Sequence, residues 1–292
     1  MEIYRNSSQQ LVFKLYTDRT LTNADALPTI ALKLNGVALP LHTVIKEADG
    51  VYATQLLFSD TFEEGELEAT WSFVYNGVAT SRQEFHSIVT PYVDLNYLYE
   101  LPHADEEIKW AEFYSRSQIE KYTGQKFGRR TSWVKAQGNG TDVLILPDHI
   151  ISVTHLYENG SLLWENGGTA NSIGAPVISQ SGFAVQITDD WDVTEYAPTG
   201  YLQSGGRFVE GYTYEVMGEF GYRVVPDDVT MCANMLVDDW FCKDKAWREK
   251  YATKITNGDW SVEINTRAFS GTGNSIVDAT LSDYMWHRMV VV

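Results

Sequence analysis

The chain is 292 residues long, 44% apolar, and carries a formal net charge of −17. That length supports two domains with packed cores, without help from metal or cofactor. The acid excess leaves no surplus of Lys and Arg to displace counterions from phosphate, which excludes tight or sequence-specific nucleic-acid binding. Nine Trp, 17 Tyr and 12 Phe favour β-rich structure and aromatic anchors at interfaces.

Residues 8 to about 92 read as short alternating strands. The runs are Leu11-Val12-Phe13-Lys14-Leu15, Thr29 to Leu34, Val51 to Phe58, Leu67 to Val74 and Ser81 to Val89. Asn35-Gly36 and Asn76-Gly77 are two-residue hairpin signals. No helical period intervenes, so an immunoglobulin-like β-sandwich is expected over 1–92, with Pro91 marking its boundary.

Residues 93–292 read as helices around a β-rich insertion. A helix is expected near 104–123. Pro102 and Asp105-Glu106-Glu107 open it, and Ile108, Ala111, Ser115, Ile119 and Tyr122 form its stripe. Gly124 stops it. The insertion, about 131–222, includes Val143 to Pro147, Ile151 to Tyr157 and a turn at Asn159-Gly160. A second helix is expected over 226–251. Pro226 and Asp227-Asp228 begin it, and Val229, Cys232, Ala233, Leu236, Val237 and Trp240 give it a broad apolar face. A last helix is expected near 274–289. The fold class expected is therefore α+β: a sandwich followed by a small helical bundle carrying a β insertion.

Cys232 and Cys242 lie ten positions apart on one expected helix, about 15 Å along its axis. That spacing forbids a disulfide between them and suits a reducing compartment. No stretch approaches the roughly 18 apolar residues of a membrane span, and Met1-Glu2-Ile3-Tyr4-Arg5 has no apolar leader core. A cytoplasmic origin with no membrane partner is expected. Acidity is uneven: residues 136–222 hold eleven Asp or Glu against Arg207 as the one strong base.

Chemistry is sparse. His103 with Asp105, Glu106 and Glu107 could in principle hold a metal, but acidic residues at a helix start already have a dipole explanation. Asp189, Asp190 and Asp192 form an oxygen-rich run, but it lacks the Asp-x-Asp-x-Asp-Gly order of a helix-loop-helix calcium site, and a solvated acidic loop explains it better. No Gly-x-Ser-x-Gly occurs. Ser270-Gly271-Thr272-Gly273 lacks the Lys-Ser/Thr ending of a phosphate loop. No catalytic residue, metal or cofactor is expected, and the chain is not expected to be an enzyme.

Three stretches carry a family resemblance. The first is the helix ending Ile119-Glu120-Lys121-Tyr122-Thr123-Gly124-Gln125-Lys126-Phe127. The second runs from Val143 to Pro147 through Ile150, Val153 and Asn159-Gly160. The third is Gly218-Glu219-Phe220-Gly221-Tyr222 followed by Val225-Pro226-Asp227-Asp228-Val229. Phe269 to Gly273 and Asp278 with Leu281 extend the pattern. In this order they resemble the head–tail connector (adaptor) family of tailed bacteriophages over about 200 residues. Residues 1–92 depart from it, since the plain family member begins near the first helix.

The resemblance implies a non-enzymatic subunit of a phage neck ring, a homo-oligomer of twelve. It binds the portal and the next neck or tail protein, and it extends the channel used in genome ejection. The localisation implied is the virion neck at the head–tail junction, after synthesis in the host bacterial cytoplasm. The portal contacts implied are Arg267, Phe269, Trp286, His287 and Arg288. DNA would pass without specific binding, and Asp189, Asp190, Asp192 and Glu195 are the expected channel lining, repelling it. Two other readings stand beside this one. The first is a phage tail or receptor-binding structural protein with carbohydrate affinity, suggested by the sandwich and the aromatic content. The second is a glycoside hydrolase.

Overall fold

The computed structural model describes residues 2–168, 173–187, 207–242, 254–257, 260–263 and 271–285. The chain divides into two compact units, Met1–Pro91 and Tyr92–Val292.

The first unit is built from β1 (Glu2–Tyr4), β2 (Gln10–Lys14), β3 (Tyr16–Thr17), β4 (Thr20–Leu21) and β5 (Thr29–Leu34). It continues with β6 (Val37–Ala38), β7 (Val44–Ala48), β8 (Val51–Gln55), β9 (Gly65–Tyr75) and β10 (Val78–Val89). Two sheets face each other, one in the order β1-β10-β9-β5-β6 and one in the order β2-β8-β7. Strict alternation drives the pairing. In β5, Ile30, Leu32 and Leu34 are buried while Thr29, Ala31 and Lys33 are exposed. Leu11, Phe13, Tyr52, Leu67 and Trp71, drawn from both sheets, share one core.

The five-stranded order, with β1 parallel to β10, set against a separate three-stranded sheet, makes this unit an immunoglobulin-like sandwich. Antibody domains tie their two sheets with a disulfide. Here Phe13 of β2 stacks on Trp71 of β9 at 5.2 Å and 17°. An aromatic pair thus joins the sheets.

The strand expected over Val51 to Phe58 ends at Gln55. Phe58–Thr61 closes into a 3-10 turn instead, because the Asp60 carboxylate accepts the Leu57 amide at 2.6 Å.

The second unit begins with α1 (Leu95–Glu100) and α2 (Asp105–Thr123). Its strands are β11 (Arg130–Gln137), β12 (Val143–Ile145), β13 (Ile150–Glu158), β14 (Ser161–Glu165), β15 (Val177–Ile178), β16 (Ala184–Gln186) and β17 (Thr213–Phe220). After them come α3 (Asp227–Phe241), the hairpin β18 (Lys254–Asn257) and β19 (Trp260–Glu263), and α4 (Ser275–Leu281). The sheets β11-β17-β13-β14 and β12-β16-β15 enclose a core of Leu144, Leu156, Val185, Phe208, Val216 and their neighbours. The helices α2, α3 and α4 pack on one another.

The helix boundaries differ from expectation in three places. α3 ends at Phe241 rather than near 251, because Cys242 takes extended backbone and closes its N–H on the Asp238 carbonyl. Cys242 is therefore an exposed residue beyond the helix, while Cys232 is buried within it. α4 gives way at Ser282–Tyr284 to a 3-10 turn and then to extended Met285, short of the expected 289. Ser282 helps by donating its hydroxyl to the Ala279 carbonyl at 2.7 Å. α1 had no counterpart among the expected helices, and Asp94 caps it by accepting the Asn96 amide at 2.8 Å. Among the described residues no helix is long and apolar enough to cross a membrane.

Candidate interaction surface

α2 has two distinct faces. Ile108, Ala111, Glu112, Ser115, Ile119 and Thr123 are buried. Across the contact, α3 buries Val229, Cys232, Ala233, Leu236 and Val237. Ser115 donates its hydroxyl to the Ala233 carbonyl at 3.0 Å, so the two backbones approach closely. Glu112 is fully buried and compensated: Arg116 Nε lies 3.2 Å from it, and the Tyr92 amide donates to it at 3.2 Å.

The other face of α2 carries Trp110, Phe113 and Tyr114, at i, i+3 and i+4. Trp110 is 63% exposed, Phe113 41% and Tyr114 37%. They are organised rather than scattered. Trp110 meets Phe113 edge-on at 5.9 Å, the Arg116 guanidinium lies 5.7 Å over the Phe113 ring, and Tyr114 packs on Trp240 of α3 at 4.9 Å. Trp240 sits on the apolar stripe of α3 yet is 47% exposed, because it falls in the last turn, two residues before the chain leaves the helix. Beside it the His103 ring stacks on Phe241 at 3.8 Å.

The rim of this surface is acidic and hydrogen-bonded. Tyr97 donates to the Asp238 carboxylate, and burial, with that carboxylate beside it, pushes its hydroxyl pKa well up. Burial lowers the Lys109 pKa, opposed by Asp105 and Glu106 nearby. Large, rigid aromatics ringed by polar groups can fill a partner's pockets and exclude water. They offer no acid–base pair and no nucleophile.

A second cluster in this unit is an aromatic knot. Phe127 stacks on Tyr222 at 5.3 Å and meets Tyr92 and Tyr284 edge-on. His149 stacks on Tyr222 at 4.2 Å and approaches the Gly221 carbonyl through Nδ1 at 2.8 Å. The Tyr92 hydroxyl donates to Glu120 at 2.8 Å and accepts the Phe127 amide at 2.7 Å. Tyr284 donates its hydroxyl to Asp228 at the start of α3, 2.8 Å from one carboxylate oxygen and 2.9 Å from the other. Gly221 has φ +89°, and a Cβ there would stand 2.0 Å from the Gly128 carbonyl oxygen, so only glycine fits where this strand leaves the sheet.

The residues expected to contact a portal (Arg267, Phe269, Trp286, His287, Arg288) and to line a channel (Asp189, Asp190, Asp192, Glu195) lie outside the described residues. The possible metal group is not assembled: His103 stacks on Phe241 and lies 3.9 Å from Glu107, while Asp105, Glu106 and Glu107 occupy the first turn of α2. Among the described residues no group of three or more His, Cys, Asp or Glu side chains is arranged to hold a metal ion. The glycine-rich turn is already filled by its own chain, because the Thr272 amide and hydroxyl both donate to Asp278, at 2.8 and 2.7 Å.

No protein-family profile matches the chain, and no curated protein matches it. Among solved structures it is similar to titin domain M7, at 13% identity over 30% of this chain and 83% of that one, with a TM-score of 0.21. It is also similar to a chimeric titin Z1Z2-Z1Z2 tandem, at 11% identity over 64% and 77%, with a TM-score of 0.29. At such scores the likeness carries no argument, and the sandwich rests on its own sheets.

The exposed aromatics of α2 were not singled out by sequence reasoning. A signal was there: Trp110, Phe113 and Tyr114 fall between the stripe positions of the expected helix, where a soluble helix ordinarily carries polar residues.

Proposed function

We propose that this chain is a structural subunit of a tailed-phage neck, one copy in a ring that joins the portal to the tail and continues the DNA channel. The observation that carries the reading is the aromatic knot. Two of the stretches that resemble connector adaptors, 119–127 and 218–229, meet there through Phe127, Tyr222 and Asp228, and His149 joins them from the β insertion. The motif residues thus act together as a structural joint, as a resemblance in fold requires.

The aromatic face of α2 and α3 supplies what a ring subunit needs. Each copy in a ring covers two neighbouring faces, and Trp, Tyr and Arg are the side chains that anchor such contacts. A ring of twelve is the number the resemblance implies. The excess acid in 136–222 suits a wall past which DNA slides without being held. The immunoglobulin-like unit is an appendage to the connector body, and catalysis has no part in the role.

The test is to locate the chain in purified particles by imaging virions that carry a labelled copy. Label in a ring between head and tail is the expected result. Absence from the particle, or label confined to the distal tail, overturns the reading.

A further inference from the structure

The α2–α3 pair has two unlike ends. The helices run antiparallel: His103, just before α2, stacks on Phe241 at the end of α3, while Phe127, just after α2, stacks on Tyr222, just before α3. The fifteen residues of α3 hold these ends about 22 Å apart. At the first end lies the aromatic surface of Trp110, Tyr114 and Trp240, and its charged border is acidic. Asp105, Glu106, Glu107 and Asp238 are all exposed there.

The other end carries the opposite charge. The Tyr222 amide donates to the Phe127 carbonyl at 3.0 Å, which prolongs the antiparallel pairing of β11 with β17 and sets Lys126 beside Arg223. Both are exposed, as is Lys121 in the last turn of α2. Among the described residues none of these three side chains has an ion pair or a hydrogen bond. The chain holds 39 acids against 22 bases, so three cations left without an acid at one end are out of balance with the rest. Next to Arg223, Val224 is 78% exposed. An apolar side chain flanked by cations fits an aromatic surface bordered by carboxylates, in charge as well as in contact. Within one copy the two ends are too far apart to meet. Two copies joined through their acidic ends would set carboxylate against carboxylate, which disfavours a symmetric pairing there.

We infer that the Trp110–Tyr114–Trp240 surface of one copy receives Lys126, Arg223 and Val224 of the next. The contact is heterologous, the head-to-tail kind from which closed rings are built. The inference rests on the ring reading for one point alone, that the partner is another copy of this chain.

Mixing assembly-defective full chains tests it, with sedimentation velocity as the readout. W110D spoils the first end and leaves the second intact, and K126E/R223E does the reverse. Each alone is expected to lose the multimer. An equimolar mixture of the two should form a one-to-one dimer and stop there, because one complementary pair of ends survives. Charge exchange gives a second route that spares the aromatics. E106K/E107K and K126E/R223E should each fail to assemble alone, and their mixture should regain the wild-type size, since every end again meets its opposite. Three results overturn the inference: K126E/R223E assembling as the wild type does, mixtures that stay monomeric in both pairings, or a W110D mixture that grows past the dimer. Such a failure, with labelled chain still found in the neck ring, strikes the assignment of the two ends and leaves the neck reading standing. A one-to-one dimer from a chain absent from the particle strikes the neck reading and leaves the contact.

Discussion

In the sandwich unit, strands joined by tight turns pair with each other, and Asn35-Gly36 and Asn76-Gly77 each link two partners in the same sheet. In the second unit the decisive contacts are distant in sequence: Ser115 reaches the Ala233 carbonyl 118 positions on, and Phe127 packs against Tyr284. The cores differ in kind as well. The first is drawn together by Phe13 on Trp71 and holds its buried charge, Asp60, in a 3-10 turn, where it accepts the Leu57 amide at 2.6 Å. The second buries a charge, Glu112, and a tyrosine hydroxyl, Tyr92, and must satisfy both. Alternation lays out the strands of the first, and each core also closes a polar network between remote segments, Ser7 with Thr61 in the first and Glu112 with the Tyr92 amide in the second.

The contrast can be broken at several points. The largest effect is expected at Trp71. W71A should lower the stability of the sandwich by about 3–5 kcal/mol, measured by denaturant unfolding. W71F should cost less, because the indole N–H of Trp71 has no hydrogen-bond partner to lose. Equal losses in the two variants would show that the ring stack is not what joins the sheets. Next comes E112A, which removes the buried carboxylate shared by Arg116 and the Tyr92 amide and should cost about 3 kcal/mol. A neutral result would mean the buried carboxylate is dispensable to the α2–α3 core. Y92F deletes the donor to Glu120 and leaves the Phe127 amide buried without its acceptor, a loss of about 2 kcal/mol, read by thermal melting.

The smallest effect is a pH dependence confined to the sandwich. Burial holds the His86 imidazole below its ordinary pKa of 6.5, and neither ring nitrogen has a hydrogen-bond partner. Glu84, 4.0 Å away, does not offset that burial. Because the folded value is the lower one, the unfolded chain takes up the proton first as pH falls. Stability is therefore fully present above about pH 6.5 and declines below it. Replacing His86 with Leu should flatten that decline in unfolding curves recorded from pH 7 to 5, and an unchanged slope would assign the dependence to other groups.

Much of the sandwich was legible because its signals are short-range. The Asn-Gly pairs at 35–36, 76–77 and 159–160, three of the six in the sequence, adopt positive φ at both positions, as the tightest hairpins require. The run Thr29–Leu34 matches β5 residue for residue. Three-residue β1 was not legible, since its place is set by parallel pairing with a strand more than 80 positions away. In the second unit Gly124 ends α2 in left-handed backbone, as its sequence position suggests. The end of α3 was missed because helical periodicity continues past the point where Cys242 turns out of the helix. The aromatic face escaped for a related reason: stripe-matching assigns apolar residues to the core, so Trp110, Phe113 and Tyr114 drop from view when they fall between stripe positions.

Whether that face is covered in an assembly is the question on which the account turns. Sedimentation velocity on the full chain, wild type beside Trp110→Asp, answers it directly. The account predicts one discrete multimer for the wild type and smaller species for the variant, with both retaining the same circular dichroism. A wild-type monomer at every concentration, or a variant that assembles unchanged, would contradict it.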